Sequence, residues 1–330
     1  MRYMDMHCDT LEQALAQKKE TVCELQGTML DLKRLREAGA AGQFFAMFLP
    51  QRDEPAWFGM EKMPSADELL MQMYGIYQNT MEQCADFVAP ARSIEEHRKN
   101  AKDGKLSAFL TVENGAVVQE SMEKIKKLHE MGVSLMTLTW NDPNCFGYNH
   151  SSDPVQMAKG LTDFGKEAVE YMGGLGMLVD VSHLSDGGFY DVADCCKKPF
   201  VASHSNCRAL SPATRNLTDD MIRTLAEHGG VAGINFAPAF VNADAKDSHT
   251  TVEGLCRHIE HFIKVGGEEC VGIGTDFDGI GGSFEIADCT GMELLFDGLH
   301  RRGHSGRVIE KLAFKNVERV IADAMKSAYV

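Results

Sequence analysis

Short apolar runs alternate with longer amphipathic stretches along the whole chain, the pattern of strands interleaved with helices. Eight runs predict strands: Arg2–His7, Gln43–Phe48, Leu106–Glu113, Ser134–Thr139, Met177–Val181, Phe200–Ser203, Gly230–Asn235 and Val271–Thr275. Apolar positions at helical spacing predict helices over Leu30–Ala38, Ala66–Gln83, Ser121–Met131, Thr162–Met172, Asp186–Cys196, Thr218–Glu227 and Val252–Val265. Met292–Arg301 and Val308–Tyr329 follow the last strand. Thr162 before Asp163, and Thr218 before Asp219 and Asp220, suit N-caps with acidic residues in the first turn. No Pro/Ser/Gly-rich linker or fixed-period repeat divides the chain. The expectation is an α/β fold, one (β/α)8 TIM barrel over residues 1–330 with a C-terminal helical extension, somewhat larger than the typical barrel of about 250 residues. An open doubly wound sheet is the alternative, and it would leave the first and last strands far apart.

Composition narrows the function. Of 330 residues, 44% are hydrophobic and 25% charged, an ordinary globular balance. Lys and Arg total 33 against 48 Asp and Glu, a net charge of −15. That field repels nucleic acid and anionic lipid, so neither is an expected partner. The densest basic run, Lys124 to Lys127, alternates with apolar residues and reads as a solvated helix face. No stretch of 18 or more apolar residues is present to span a membrane. The first twenty residues scatter charges where a signal peptide needs an apolar core, so a cytoplasmic location is expected. The ten cysteines include no CxxC pair and read as reduced core residues.

The chemistry lies at strand ends. Strand periodicity puts Asp5, His7 and Asp9 on one face, where His7 and Asp9 can grip an ion, although an isolated His-x-Asp triplet arises by chance. Glu113 closes the apolar run Ala108–Val112, and a carboxylate there needs a partner. His183 and His204 end neighbouring strands 21 residues apart, each in a Ser-His dipeptide, and Asp276 follows the last strand inside GTDFDG. Taken singly, each of the six suits a satisfied rim or core position. Jointly they fall at the carboxyl ends of strands 1, 3, 5, 6 and 8, which a closed barrel brings to one mouth. Three histidines with three carboxylates exceed the needs of one four-coordinate ion and suit two ions sharing a carboxylate. Nitrogen and oxygen donors without thiolate favour Zn²⁺, Mn²⁺, Co²⁺ or Fe²⁺ over Ca²⁺.

The segments MHCDT, LTVENG, LVDVSHLSD, FVASHSNCRAL, TRNLTDDMI, GGVAGINF and GIGTDFDG, in that order, resemble the membrane (renal) dipeptidase family, peptidase family M19, among the amidohydrolase-type barrels. The resemblance runs from about His7 to Gly279. It implies a zinc dipeptidase of the bacterial, cytosolic branch, with His7 and Asp9 on one ion, His183 and His204 on a second, and Glu113 bridging. It implies attack by a hydroxide held between the ions, Arg215 holding the substrate carboxylate, Asp276 moving the proton to the leaving amine, tolerance of a D-residue at the carboxyl-terminal position, and a homodimer. An ion pair of Arg215 with Asp219 or Asp220 is the plainer reading of that arginine.

One departure stands out. Trp140, in LTWNDPN, occupies the place where many members carry a histidine that steadies the substrate carbonyl, and an indole N–H cannot carry charge. Trp140 and Asn141 are candidate substrate contacts, with Asn144 or His150 as further substitutes. Two rival functions remain open at this level: another binuclear amidohydrolase activity, such as a lactamase, deacylase or lactonase, and a catalytically silent barrel that binds metal or peptide. His258 and His261, three apart on one predicted helix, read as an exposed polar face. The glycines around GTDFDG do not read as a phosphate loop, because Asp276 and Asp278 would repel phosphate.

Overall fold

The computed structural model describes residues 1–326. Eight parallel strands close into a barrel: β1 (Tyr3–Cys8), β2 (Ala40–Phe48), β3 (Leu106–Glu113), β4 (Val133–Thr137), β5 (Leu178–Asp180), β6 (Val201–Ala202), β7 (Val231–Ile234) and β8 (Val271–Ile273). The longest seam joins β2 to β3, from Gly42 opposite Ser107 to Phe48 opposite Glu113. Closure comes from β1 against β8, where Asp5 lies opposite Ile273. Helices run between strands, so this is a (β/α)8 barrel and the open-sheet alternative falls away.

All eight predicted strands are present: β1 is shifted by one residue, β2 begins three residues earlier, β3 has its predicted bounds, and the last five are shorter by one or two residues. Helix Ala66–Gln83 matches its predicted bounds, with Ser65 and Glu68 forming a reciprocal capping box. Thr162 and Thr218 cap as expected, accepting from the backbone N–H groups of Gly165 and Met221. Sequence periodicity missed helix Thr10–Ala16, only seven residues long, and helix Ile94–Lys102, whose mean composition is too polar to show a stripe. It also missed the short strand Val88–Pro90, which pairs with Leu106–Ala108 while β4 pairs with Leu110–Glu113, so the two share one edge of β3. The predicted span Val308–Tyr329 divides into helices Gly306–Glu310 and Asn316–Ala324 around a wider turn at Lys311–Lys315, and its end at Tyr329 lies outside the described residues.

The reading of every cysteine as reduced is corrected at one pair. Cys23, in the loop after the first helix, and Cys84, at the end of helix Ala66–Gln83, are joined by a disulfide. Their 61-residue separation left no local sequence signal. No helix among the described residues is long and apolar enough to cross a membrane.

One apolar cluster fills the amino-terminal half of the barrel: Met4, Met6, Phe44, Phe109, Leu135 and Leu178, with valines of β6 and β7. Helix Asn316–Ala324 closes that end with Val317, Val320 and Ile321, tied down by Asn316 donating to the carbonyls of Glu268 and Val271. The carboxyl-terminal half is left for polar chemistry. Phe44 and Phe109 stack at 4.4 Å between ring centroids in the middle of this floor. Replacing Phe109 by Ala should therefore destabilise the protein by about 3–5 kcal/mol. Chemical denaturation of the purified variant, with an unchanged m-value, measures it.

Candidate metal centre

The barrel delivers all six strand-end residues to one mouth. β1 does so through an irregularity. Its pairing with β2 shifts register between Asp5 and Cys8, and Met4 and Met6 go to the apolar floor while His7 reaches the cluster above. Asp5 does not share the site with His7 and Asp9 as strict alternation predicted. Its buried carboxylate instead accepts from the Thr275 backbone N–H at 2.9 Å and the Thr275 hydroxyl at 2.6 Å. Three of the mouth residues, His183, Asp276 and Asp278, hold left-handed backbone conformations, with φ of 67°, 63° and 72°. Strain of this kind persists only where the surroundings enforce it, and it gathers at functional sites.

Glu113 sits at the centre. Its Oε2 lies 3.5 Å from His7 Nε2, while its Oε1 lies 3.1 Å from His183 Nε2 and 3.5 Å from His204 Nε2. His7 Nε2 is also 3.4 Å from Asp9 Oδ2 and 3.8 Å from Asp276 Oδ1. Ligand atoms about 2.0–2.1 Å from a tetrahedral ion stand about 3.3 Å from each other, so the spacing fits donors arranged around a cation. Three overlapping donor groups satisfy it: His7 with Asp9 and Glu113, Glu113 with His183 and His204, and His7 with His204 and Asp276. Both ring nitrogens of His7 and Oδ1 of Asp9 are buried without a hydrogen-bond partner. Orphaned buried polar atoms are costly, and a bound ion removes that cost at Nε2 and the carboxylate. The residues fit a bound divalent cation.

Surrounding groups set the histidine tautomers. Asp180 accepts from the hydroxyls of Thr137 and Ser203 and from the backbone N–H groups of Ser182 and Ser203. With its proton given to Asp180, the Ser203 hydroxyl accepts from His204 Nδ1 at 2.7 Å, which turns the lone pair of Nε2 toward the cluster. Asn141 Oδ1 does the same for His183, accepting from Nδ1 at 3.1 Å, and it also meets His150 Nε2 at 3.1 Å. Asn141 is thus placed to orient a ligand. Asn144 is turned away, donating to Asn114 and to the Leu138 carbonyl. Asp180 was missed in the sequence, although an aspartate inside the apolar run LVDV is itself the signal of a buried, fully bonded carboxylate.

Charge in the cluster is unbalanced without an ion. Burial disfavours the His7 imidazolium, but Glu113 and Asp9 outweigh it and raise the pKa well above the usual histidine range. Burial also works against the Glu113 carboxylate, yet His7 and hydrogen bonds from the other histidines hold it well below normal. His183 is pushed down to about 3 by burial and by Arg215, and His204 is lowered for the same reasons with His7 added. Asp276 is pushed up to about 8 by burial, with Asp9 and Glu113 adding to it against His7. Its Oδ2 accepts from Asn235 Nδ2 at 2.7 Å. Glu12 rises to about 9 from burial and the nearby Asp9, Glu113, Asp278 and Asp276. Gly279 must stay without a side chain here, because a Cβ would lie 2.1 Å from Asp9 Oδ2.

A cavity of about 660 Å³ opens above the cluster. Phe48, Trp57 and Trp140 form one wall, with Trp140 edge-on to both partners at 4.9 and 5.7 Å between ring centroids. Arg215 is buried and, among the described residues, makes no ion pair. It donates to Ser205 Oγ and to the His204 carbonyl, and its Nε is unpartnered. The reading of a pair with Asp219 or Asp220 is set aside, since Asp219 meets His261 and Asp220 meets Tyr190 and Arg223. Burial lowers Arg215 to about 10. It does not line the cavity. Phe240, which does, lies over its guanidinium at 5.7 Å. His258 is not on an exposed face: it is buried, bonded to the Cys207 N–H and the Val241 carbonyl.

The sequence profile described as Membrane dipeptidase (Peptidase family M19) matches residues 1–329. An uncharacterized protein in the pqqA 5′ region of Klebsiella pneumoniae is 32% identical over 258 residues, 77% of this chain and 95% of that one. Among solved structures, the metallopeptidase of family M19 called dipeptidase AC superposes with a TM-score of 0.88 at 30% identity, covering 98% of this chain and 99% of its own. A metallopeptidase from Rhodobacter sphaeroides, liganded with a phosphinate mimic of the dipeptide L-Ala-D-Ala, gives 0.88 at 29% identity, covering 97% and 98%.

The charge imbalance predicts a pH effect on metal-free protein. Glu12 and Asp276 carry pKa values raised to about 9 and 8. Folded chains then hold protons that unfolded chains have released, so stability falls as pH rises through these values. The raised imidazolium of His7 acts in the same direction. Thermal unfolding of chelated protein should shift downward between pH 7 and 9, and a divalent ion should suppress the shift. A flat or rising midpoint in the chelated protein would contradict this charge assignment.

Proposed function

The chain belongs to the membrane dipeptidase family, peptidase family M19, and is a metallo-dipeptidase; from that premise we propose that it uses two divalent ions, with zinc best suited to the donor set. His7 and Asp9 would hold one, His183 and His204 the other, and Glu113 would reach both. The observation that carries this reading is the division of the Glu113 carboxylate, one oxygen toward His7 and the other toward the His183–His204 pair. Bound there, such ions supply a nucleophile from water at neutral pH and polarise the scissile carbonyl.

The rest is assigned to the chain's own groups. Arg215 receives the substrate's terminal carboxylate beside the Phe240 ring packed over its guanidinium. A buried guanidinium with no counter-ion and a free Nε suits a planar anion. Asp276 holds and moves the proton. Asn235 fixes its Oδ2, leaving Oδ1 on the side of His7, and a buried carboxyl so placed is suited both to take a proton from water and to give it to the departing amine. Trp140, with Phe48 and Trp57, offers an apolar face to a substrate side chain. Asn141 acts by steadying His183. A D-residue is accepted at the carboxyl-terminal position, a reading supported by the ligand of the Rhodobacter sphaeroides enzyme.

Elemental analysis with a panel of L,L- and L,D-dipeptides tests the proposal. Glu113→Gln should reduce both metal equivalents, whereas His183→Ala should reduce mainly one. Unchanged occupancy in Glu113→Gln would remove the bridge. Asp276→Asn should keep its metal and lose about 10²–10⁴-fold in kcat. Turnover of substrates lacking a free carboxylate as fast as dipeptides would favour a different hydrolase.

A further inference from the structure

Glu12 is unused by the reaction above, and its setting asks for a partner. It lies in helix Thr10–Ala16, directly after β1, and faces the cavity with only 7% of its surface exposed. Among the described residues nothing donates a hydrogen bond or an ion pair to its carboxylate. A carboxylate buried to this extent is held at a cost unless a positive or donating group meets it. Its neighbours cannot play that part. Asp278 is already engaged, accepting from the Thr10 hydroxyl and the Met29 N–H, and Gln13 donates to the Asp278 carbonyl. No lysine or arginine lines the cavity, whereas Asp9, Glu113, Asp276 and Asp278 are the acidic groups near Glu12. Glu12, which holds its proton while unpaired, is left as the acidic group on this side of the mouth that an arriving cation can engage.

Position decides which part of a substrate arrives there. Arg215 follows β6 and Glu12 follows β1, three strands apart on a ring of eight. A dipeptide with its carboxylate at Arg215 and its scissile bond at the ligand cluster therefore extends its amino-terminal residue toward β1. We propose that Glu12 is a specificity residue that receives the positively charged side chain of the substrate's amino-terminal residue, making dipeptides that begin with lysine or arginine preferred substrates. This rests on the dipeptidase reading and on Arg215 as the carboxylate anchor.

The test compares lysyl-alanine with norleucyl-alanine, which differs chiefly in lacking the side-chain ammonium, in the metal-loaded enzyme and in Glu12→Gln and Glu12→Lys. The ratio of kcat/KM for the two substrates is internal to each preparation, so a partly misfolded variant does not distort it. The wild type should favour lysyl-alanine by about tenfold to a hundredfold, the scale of a hydrogen bond to a charged group. Glu12→Gln should bring the ratio near one, and Glu12→Lys should invert it. Alanyl-lysine against alanyl-norleucine should show no such preference. A wild-type ratio near one overturns the proposal while leaving dipeptide hydrolysis standing. An equal loss on both substrates in Glu12→Gln also overturns it, placing the α-ammonium at Glu12 instead. If no dipeptide in the set is hydrolysed, the dipeptidase reading itself fails.

Discussion

The site depends on the seam between the first strand and the last. Asp5, buried in β1, binds the backbone and hydroxyl of Thr275 just beyond β8. The ladder continues above it, with the Asp276 N–H donating to the His7 carbonyl and the Asp9 N–H to the Phe277 carbonyl. These bonds span about four-fifths of the sequence and hold Asp276 against His7 and Asp9. A carboxylate buried in this way is costly unless fully bonded, so the same groups that close the ring also fix the register of the chemistry placed upon it.

Above the seam, the mouth gathers more negative charge than its own cations balance. His7 answers part of it in the metal-free state by holding a proton, and the raised affinities of Asp276 and Glu12 answer more. A proton on His7 and a metal ion beside it are alternative solutions to one electrostatic problem. Burial and Arg215 keep His183 and His204 neutral, while Asn141 directly and Asp180 through Ser203 turn their Nε2 lone pairs inward, which favours an ion there.

Much of this was legible in the sequence, for definable reasons. The eight strands showed because buried parallel strands are continuous apolar runs, and the candidate site residues showed because each interrupts or ends such a run with a group that burial penalises. Glu113, His183, His204 and Asp276 are all of that kind. What escaped was what local pattern does not encode. Asp5 was assigned to the face of His7 by simple alternation, and a register shift in β1 separates them. Helix Thr10–Ala16 was too short to display a period, which hid Glu12. The partnership of Cys23 with Cys84 and the packing of Phe240 over Arg215 are contacts between segments far apart in the chain.

The helix that floors the barrel has a bearing on how the protein comes into being. Met4, Phe44 and Phe109 lie more than 200 residues before Asn316–Ala324, which covers them. A nascent chain therefore exposes this apolar floor until that helix has been made and docks on it. Such late, long-range completion slows folding and leaves sticky surface in reach of neighbours and chaperones. Production of the protein should accordingly be sensitive to the speed of synthesis and to damage in helix Asn316–Ala324, far from any residue that touches substrate.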